Sequence, residues 1–243
     1  MAPAAFRPFG QAADLDLDFA GVDRPALVTA LLAQCGADGE DAAFWWAQAV
    51  GMRTAALLQL AAVSEGSDLI ECSARCAQAA CGQVFGFALP VDVLTDAAAN
   101  APLRVELDGS RTVRLRRPTG SDLQAWRTLR PASRAEAEAV MLASLIMDGD
   151  LRLEDSAGLQ EALAAQDPLV AFEAGCACPA CGAPNLVAVD LEAEALARLE
   201  RCQHALLREV HALASHYGWT EAEVLAVPPS RRAHYLAMLE EAR

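Results

Sequence analysis

The sequence predicts an α+β fold, mainly helical, in which small antiparallel β elements surround a four-cysteine zinc knuckle site and a long C-terminal helix leads into a short helical tail module. Three observations predict it. The first is a pair of cysteine turns closed by Cys-Gly: Cys72-Ser-Ala-Arg-Cys76-Ala-Gln-Ala-Ala-Cys81-Gly82 and Cys176-Ala-Cys178-Pro-Ala-Cys181-Gly182. Each leads into a strand-like run, over 83–89 and 184–189. Half of a four-thiolate zinc site has this form, because two sulfurs must reach one ion at about 2.3 Å and glycine lets the backbone fold back behind them. The second is the stretch 191–217, where Ala195, Leu199, Cys202, Leu206, Val210, Leu213 and Tyr217 recur every three or four residues as one apolar seam. The third is the alternation of Leu103, Val105, Leu107, Val113 and Leu115 with Arg104, Glu106, Thr112, Arg114 and Arg116 around Asp108-Gly109, a hairpin with one buried face.

At 243 residues the chain is long enough for one sizeable core or two small ones without disulfides. No apolar run approaches the roughly 20 residues of a membrane span. The amino terminus lacks the charged-then-apolar form of a signal peptide, so a cytoplasmic protein without a membrane partner is expected. In that compartment eight cysteines point to metal rather than to a disulfide framework. The net charge is -14 and all nineteen basic residues are arginine, which speaks against nucleic-acid binding, since that needs a basic face to displace counterions.

Four regions are expected in order. Residues 1–22 show no helical period and read as an extended or mobile arm. Residues 23–66 form a helical lobe with helices over 24–35, after Asp41, and over 52–63; Trp45 and Trp46 suit a core corner. Residues 67–190 hold the two knuckles, a short helix over 91–98 and the hairpin, whose arginines form a solvated face with Glu106 opposite. The same region carries a helix capped by Ser121 and Gln124, one over 135–147 behind Ser133 and Glu136, one over 159–165, and one started by Asp167-Pro168. Residues 191–243 hold the long helix, a Gly218 stop, a Thr220–Glu223 capping box and a final helix. His204 and His211 share one side of the long helix but offer no third ligand.

The succession Ala26-Leu27, Gly51-Met52-Arg53, Leu57-Leu58, the first knuckle, Arg116-Arg117-Pro118-Thr119-Gly120-Ser121-Asp122, Asp167-Pro168, Cys178-Pro179-Ala180-Cys181-Gly182, Leu207-Arg208-Glu209-Val210-His211, Tyr217-Gly218-Trp219-Thr220-Glu221 and Arg231-Arg232-Ala233-His234-Tyr235-Leu236 resembles the T-even-phage baseplate protein family. The resemblance spans about residues 24–240 and is most specific in the tail segment. It implies a non-enzymatic component or assembly chaperone of the baseplate or hub of a contractile phage tail or phage-tail-like injection system. The implied partners are baseplate or hub proteins, and such a chain can end up in a virion or tail-like particle.

The sequence departs from the family in the first knuckle, where three cysteines spread over ten positions replace a compact pair. Cys76 and Cys81 are the preferred ligands beside Cys178 and Cys181, because Cys81-Gly82 matches the turn; Cys72 and Cys176 are the substitutes. The expected cofactor is a structural zinc joining the knuckles. Trp219, Arg231, Arg232 and Tyr235 are candidate partner-binding residues, of types enriched at interface hot spots, although Trp219 and Tyr235 could equally pack on each other. The long seam is to be satisfied either within the chain or by a second copy. Two other classes share the cysteines: a zinc-ribbon regulatory or nucleic-acid-associated protein, disfavoured by the charge, and a thiol oxidoreductase using Cys178 and Cys181, disfavoured by the lack of alternating strands and helices.

Overall fold

The structure, a computed structural model, describes residues 6–37, 39–96, 101–107, 111–149, 152 and 155–241. Its main core is built by α1 (Arg24–Cys35), α2 (Ala42–Ala47), α3 (Val50–Glu65) and α8 (Leu191–Tyr217). The Asp23 carboxylate caps α1 at the Ala26 N–H, Asp41 caps α2 at the Phe44 N–H, and α3 stops at Gly66 in the left-handed region. Val28, Leu31, Leu32, Trp45, Leu57, Leu58, Leu60, Leu191 and Leu199 are buried together, so Trp45 does fill a core corner.

Two hairpins of the same plan sit on this core. β1 (Leu69–Arg75) pairs with β2 (Val84–Pro90) from Leu69↔Pro90 to Arg75↔Val84, and α4 (Val91–Asp96) follows directly. β6 (Phe172–Ala177) pairs with β7 (Pro184–Val189) from Phe172↔Val189 to Ala177↔Pro184, and α8 follows. Strand, cysteine turn, strand and helix thus occur twice, near residues 69–96 and 172–217.

A second core lies between the sheet β3 (Leu103–Leu107), β4 (Arg111–Leu115), β5 (Ile146–Asp148) and the helices α6 (Arg134–Leu145) and α7 (Ser156–Gln166). Burial alternates along β3 as expected of a one-sided sheet. The turn Asp108-Gly109 lies outside the described residues. The register sets Arg104 opposite Arg114 and Glu106 opposite Thr112, so Glu106 is a diagonal rather than a direct neighbour of Arg114. Arg104 and Arg114 are exposed, and Arg111 pairs with Asp155 at 2.7 Å.

Several expectations are corrected. The helix expected over 135–147 ends at Leu145, because the open edge of β4 takes Ile146 into a strand opposite Leu115 and the Arg116 N–H donates to the Leu145 carbonyl at 2.9 Å. The cap of α5 (Gly120–Arg127) is Thr119 with Asp122, not Ser121 with Gln124: the Thr119 hydroxyl and the Asp122 carboxylate each accept the other's backbone N–H. Asp167-Pro168 starts no helix. The Asp167 carboxylate, the intended cap, is held instead by Arg117 at 3.0 Å, both side chains being buried, and the chain turns through 168–170.

Residues 6–22, read as an arm, are folded onto the lobe. Asp14, fully buried, accepts both Arg7 guanidinium nitrogens at 2.7 Å, the Gln34 amide at 2.6 Å and the Gly10 and Gln11 N–H groups at 2.7 and 2.8 Å. The Gln203 amide of α8 donates to the Leu17 carbonyl at 2.9 Å. These ties run through side chains and one 3-10 turn, Ala12–Asp16, which leave no 3.6-residue period in the sequence.

The two cores are joined at α3. Arg53 is fully buried, donating to the Trp45 and Pro25 carbonyls at 2.8 Å each, with its guanidinium 5.1 Å from the Trp46 ring. Gly120 lies against that guanidinium and Gly51 against the Asp167 carboxylate, so a Cβ at either position would overlap its neighbour.

Gly120→Ala is therefore expected to cost about 1–3 kcal/mol in denaturant unfolding, since the buried guanidinium has no second place to go. Burial alone would raise the Asp14 carboxyl, but Arg7, Gln34 and two backbone N–H groups together hold it below the usual carboxylate range. Its folded pKa is thus depressed, so its contribution is present above an unfolded value of about 3.9 and is lost as pH falls through the folded value. Asp14→Asn should remove that part of the acid dependence in a pH-stability series. It should also cost roughly 2–3 kcal/mol, under the ~3–5 of a fully buried pair because Arg7 is partly exposed.

Candidate metal centre

The two cysteine turns fold alike. The Cys76 N–H donates to the Gln83 carbonyl and the Cys178 N–H to the Ala183 carbonyl, each at 2.9 Å, closing the neck of each hairpin. The Gly82 N–H returns to Gln78 at 3.1 Å and the Gly182 N–H to Cys178 at 2.8 Å. Both glycines have positive φ, 56° and 73°, which a side chain would resist. The first turn is two residues longer between its cysteines, yet Cys-Gly ends both.

This brings four sulfurs together. Cys76 Sγ is 3.6 Å from Cys181 Sγ, Cys81 Sγ is 3.9 Å from Cys178 Sγ, and all four lie within 4.8 Å of one another. A tetrahedral ion holding each sulfur at about 2.3 Å would set them about 3.8 Å apart, so these four thiols fit a metal ion and can hold one. Cys76 and Cys178 are buried, Cys81 half-buried and Cys181 exposed. Ala74 and Phe85 are buried beneath them, with Phe87 and Val187 alongside.

The protonation pattern also suits a cation. Burial opposes ionisation of Cys178, but the N–H groups of Cys181 and Ala180 and the thiols of Cys181 and Cys76 draw it down to about 7. At Cys76 the Gln78 N–H favours the thiolate, while burial and the neighbouring sulfurs outweigh it and push the thiol up to about 11. Cys178 ionises readily while the Cys76 and Cys81 thiols are pushed up, a conflict that a divalent cation removes.

Among the described residues, Cys76, Cys81, Cys178 and Cys181 are the group that could hold a metal. Cys72 sits in β1 opposite Phe87 and packs on the main core, where burial raises its thiol. Cys176 sits in β6 opposite Asn185, beside the cluster but outside it. His204 and His211 are exposed on α8. Sequence reasoning missed Asn185, a buried amide between the turns; its only signal was a polar residue at an inward strand position.

In the tail, the Thr220–Glu223 capping box opens α9 (Glu221–Ala226), and α10 (Pro229–Glu241) folds back on α8. Trp219 and Tyr235 pack edge to face with centroids 5.2 Å apart, over Val210, Leu213 and Val224. Arg231 is exposed. Arg232 is not a surface residue: it is 6 % exposed and donates to Glu209 at 3.0 Å and the Val227 carbonyl at 2.9 Å, strutting α10 to α8. The seam residues Ala195, Leu199, Leu206, Val210 and Leu213 are covered by the chain itself.

Comparison with family models, with curated proteins and with solved structures finds no match. Among the described residues no helix is long and apolar enough to cross a membrane.

The two tail arginines should separate on reversal of charge. Arg232→Glu sets a carboxylate against Glu209 and is expected to cost about 2–4 kcal/mol. Arg231→Glu should stay within about 0.5 kcal/mol of wild type. Thermal and denaturant melts of the two variants check this.

Proposed function

We propose that this chain is a non-enzymatic baseplate or hub component, or an assembly chaperone, of a contractile phage tail or phage-tail-like injection system, stapled by one structural zinc. The cluster geometry carries the zinc half of the reading: four sulfurs at tetrahedral spacing, all from the protein, make a complete ligand set with no position left for water. Zinc, when bound, would neutralise the thiolates and supply binding energy that exists only once both hairpins have met. Zinc is favoured over other ions because four thiolates in a tetrahedron are its usual structural site. The baseplate half is supported by the motif succession given above, whose Gly51, Arg53, Arg116, Arg117, Gly120 and Asp122 all take part in joining the two cores or capping α5.

One observation favours a second reading: a Cys178 thiol near 7 beside an exposed Cys181 is also what a redox pair needs. Metal content and thiol titration of the purified protein decide between them. One zinc per chain with no rapidly reacting thiol at the cluster is the expected result, and a metal-free protein cycling a Cys178–Cys181 disulfide would replace the zinc reading. Cys181→Ser is expected to lose the metal and lower the melting temperature, and unchanged melting would remove the structural role. Affinity capture from producing cells, with mass spectrometry of mature particles, tests the context. Baseplate or hub proteins should be recovered, and presence in particles distinguishes a component from a chaperone.

A further inference from the structure

We propose that Asn185 is a positioning residue of the metal centre: it locks the two cysteine turns in the register that gathers their sulfurs, and so sets how tightly the centre holds its ion. The inference rests on reading the cluster as a metal site. Asn185 is 7 % exposed and lies on β7 four residues beyond Cys181. Its Oδ1 accepts the Ala77 N–H at 2.7 Å, from the residue next to Cys76 and 108 positions away in sequence. Its Nδ2 donates at 2.8 Å to the Ala183 carbonyl, the same oxygen that receives the Cys178 N–H. One side chain thus connects the backbones carrying the two buried ligands, Cys76 and Cys178.

An amide is the side chain suited to this place. It offers an acceptor and a donor at once, and it is neutral, adding no charge beside a set of thiolates. The first hairpin has no counterpart: four residues beyond Cys81 stands Phe85, buried and filling the apolar floor under the sulfurs. The strap therefore runs one way, from the second turn to the first. Without it the Ala77 N–H loses its partner, and the Cys76 turn is free to swing relative to Cys178. Outer partners of this kind commonly change metal affinity 10–100-fold while leaving the ligands in place.

The test compares wild type, Asn185→Ala and Asn185→Asp, loaded with Co²⁺ and then Zn²⁺ and titrated with a competing chelator, with melts of each metal-free protein alongside. Wild type is expected to bind one ion with the absorption of a tetrahedral thiolate–cobalt site. Asn185→Ala should keep that spectrum but bind 10–100-fold more weakly. Asn185→Asp keeps an acceptor toward Ala77 but sets a carboxylate oxygen against the Ala183 carbonyl and so breaks the second half of the strap, and it too should bind more weakly than wild type. A lowered melt of the metal-free protein with unchanged affinity would make Asn185 a packing residue and overturn the inference. If Asn185→Ala does not fold, Asn185→Asp decides, and wild-type affinity there is equally fatal. A wild type that binds neither ion removes the metal reading and this inference with it; a wild type that binds with all variants equal removes this inference alone.

Discussion

Four sulfurs confined within 4.8 Å, drawn from two turns about a hundred residues apart, are the constraint on which the arrangement of this chain depends. Closing a loop of that size costs roughly 4–5 kcal/mol of chain entropy, so the unfolded chain seldom brings the turns together. The constraint reaches well beyond the cluster because each hairpin runs straight into a helix. β2 continues into α4, which packs on α3, and β7 continues into α8, which packs along α3. Holding the turn tips in register therefore also holds two helices against the same third one. On the proposed reading, zinc acts at the end of a lever whose other end is the main core.

The second organising element is polar and buried. Arg53 reaches from α3 to carbonyls of α1 and α2, and the carboxylate of the Arg117–Asp167 pair lies against Gly51 of the same helix. Burial pushes the Arg53 guanidinium down to about 10, still charged at neutral pH, and its cost is offset by two carbonyls and the Trp46 face. Such groups contribute less net stability than apolar packing would, but they admit few alternative arrangements. Glycines at 51 and 120 are needed because the charged groups occupy the space a side chain would fill. A sheet-based core and a helix-based core thus meet where the Arg117–Asp167 pair lies against α3.

Much of this was legible in the sequence. The bounds of α1 and α8 follow from Asp23, Pro25, the seam and Gly218, because capping and periodicity act locally. The clustering of Cys76, Cys81, Cys178 and Cys181 was foreshadowed by the two Cys-Gly turns, with Cys72 and Cys176 left as substitutes until the strands placed them outside the cluster. What was hidden depends on partners distant in sequence. Ile146 looks like one more helical residue until the edge of β4 claims it, and Asp167 looks like a cap until Arg117 takes its carboxylate. The segment 6–22 looks unstructured because its order comes from Arg7, Gln34 and Gln203 rather than from a repeating face. Arg232 is of a residue type common at hot spots, and only the position of Glu209 on α8 reveals it as a strut.

The spacing of the two turns also sets an order of events on the ribosome. Cys76 is made 105 residues before Cys181, roughly 5–20 s at ordinary rates of translation. For that interval, on the proposed reading, the first hairpin is a half-site, two thiols with no opposing pair, open to whatever thiol-reactive species or weakly held ions the cell contains. On the proposed reading, maturation of this protein is vectorial, and the supply of metal around the nascent chain becomes one of its folding conditions.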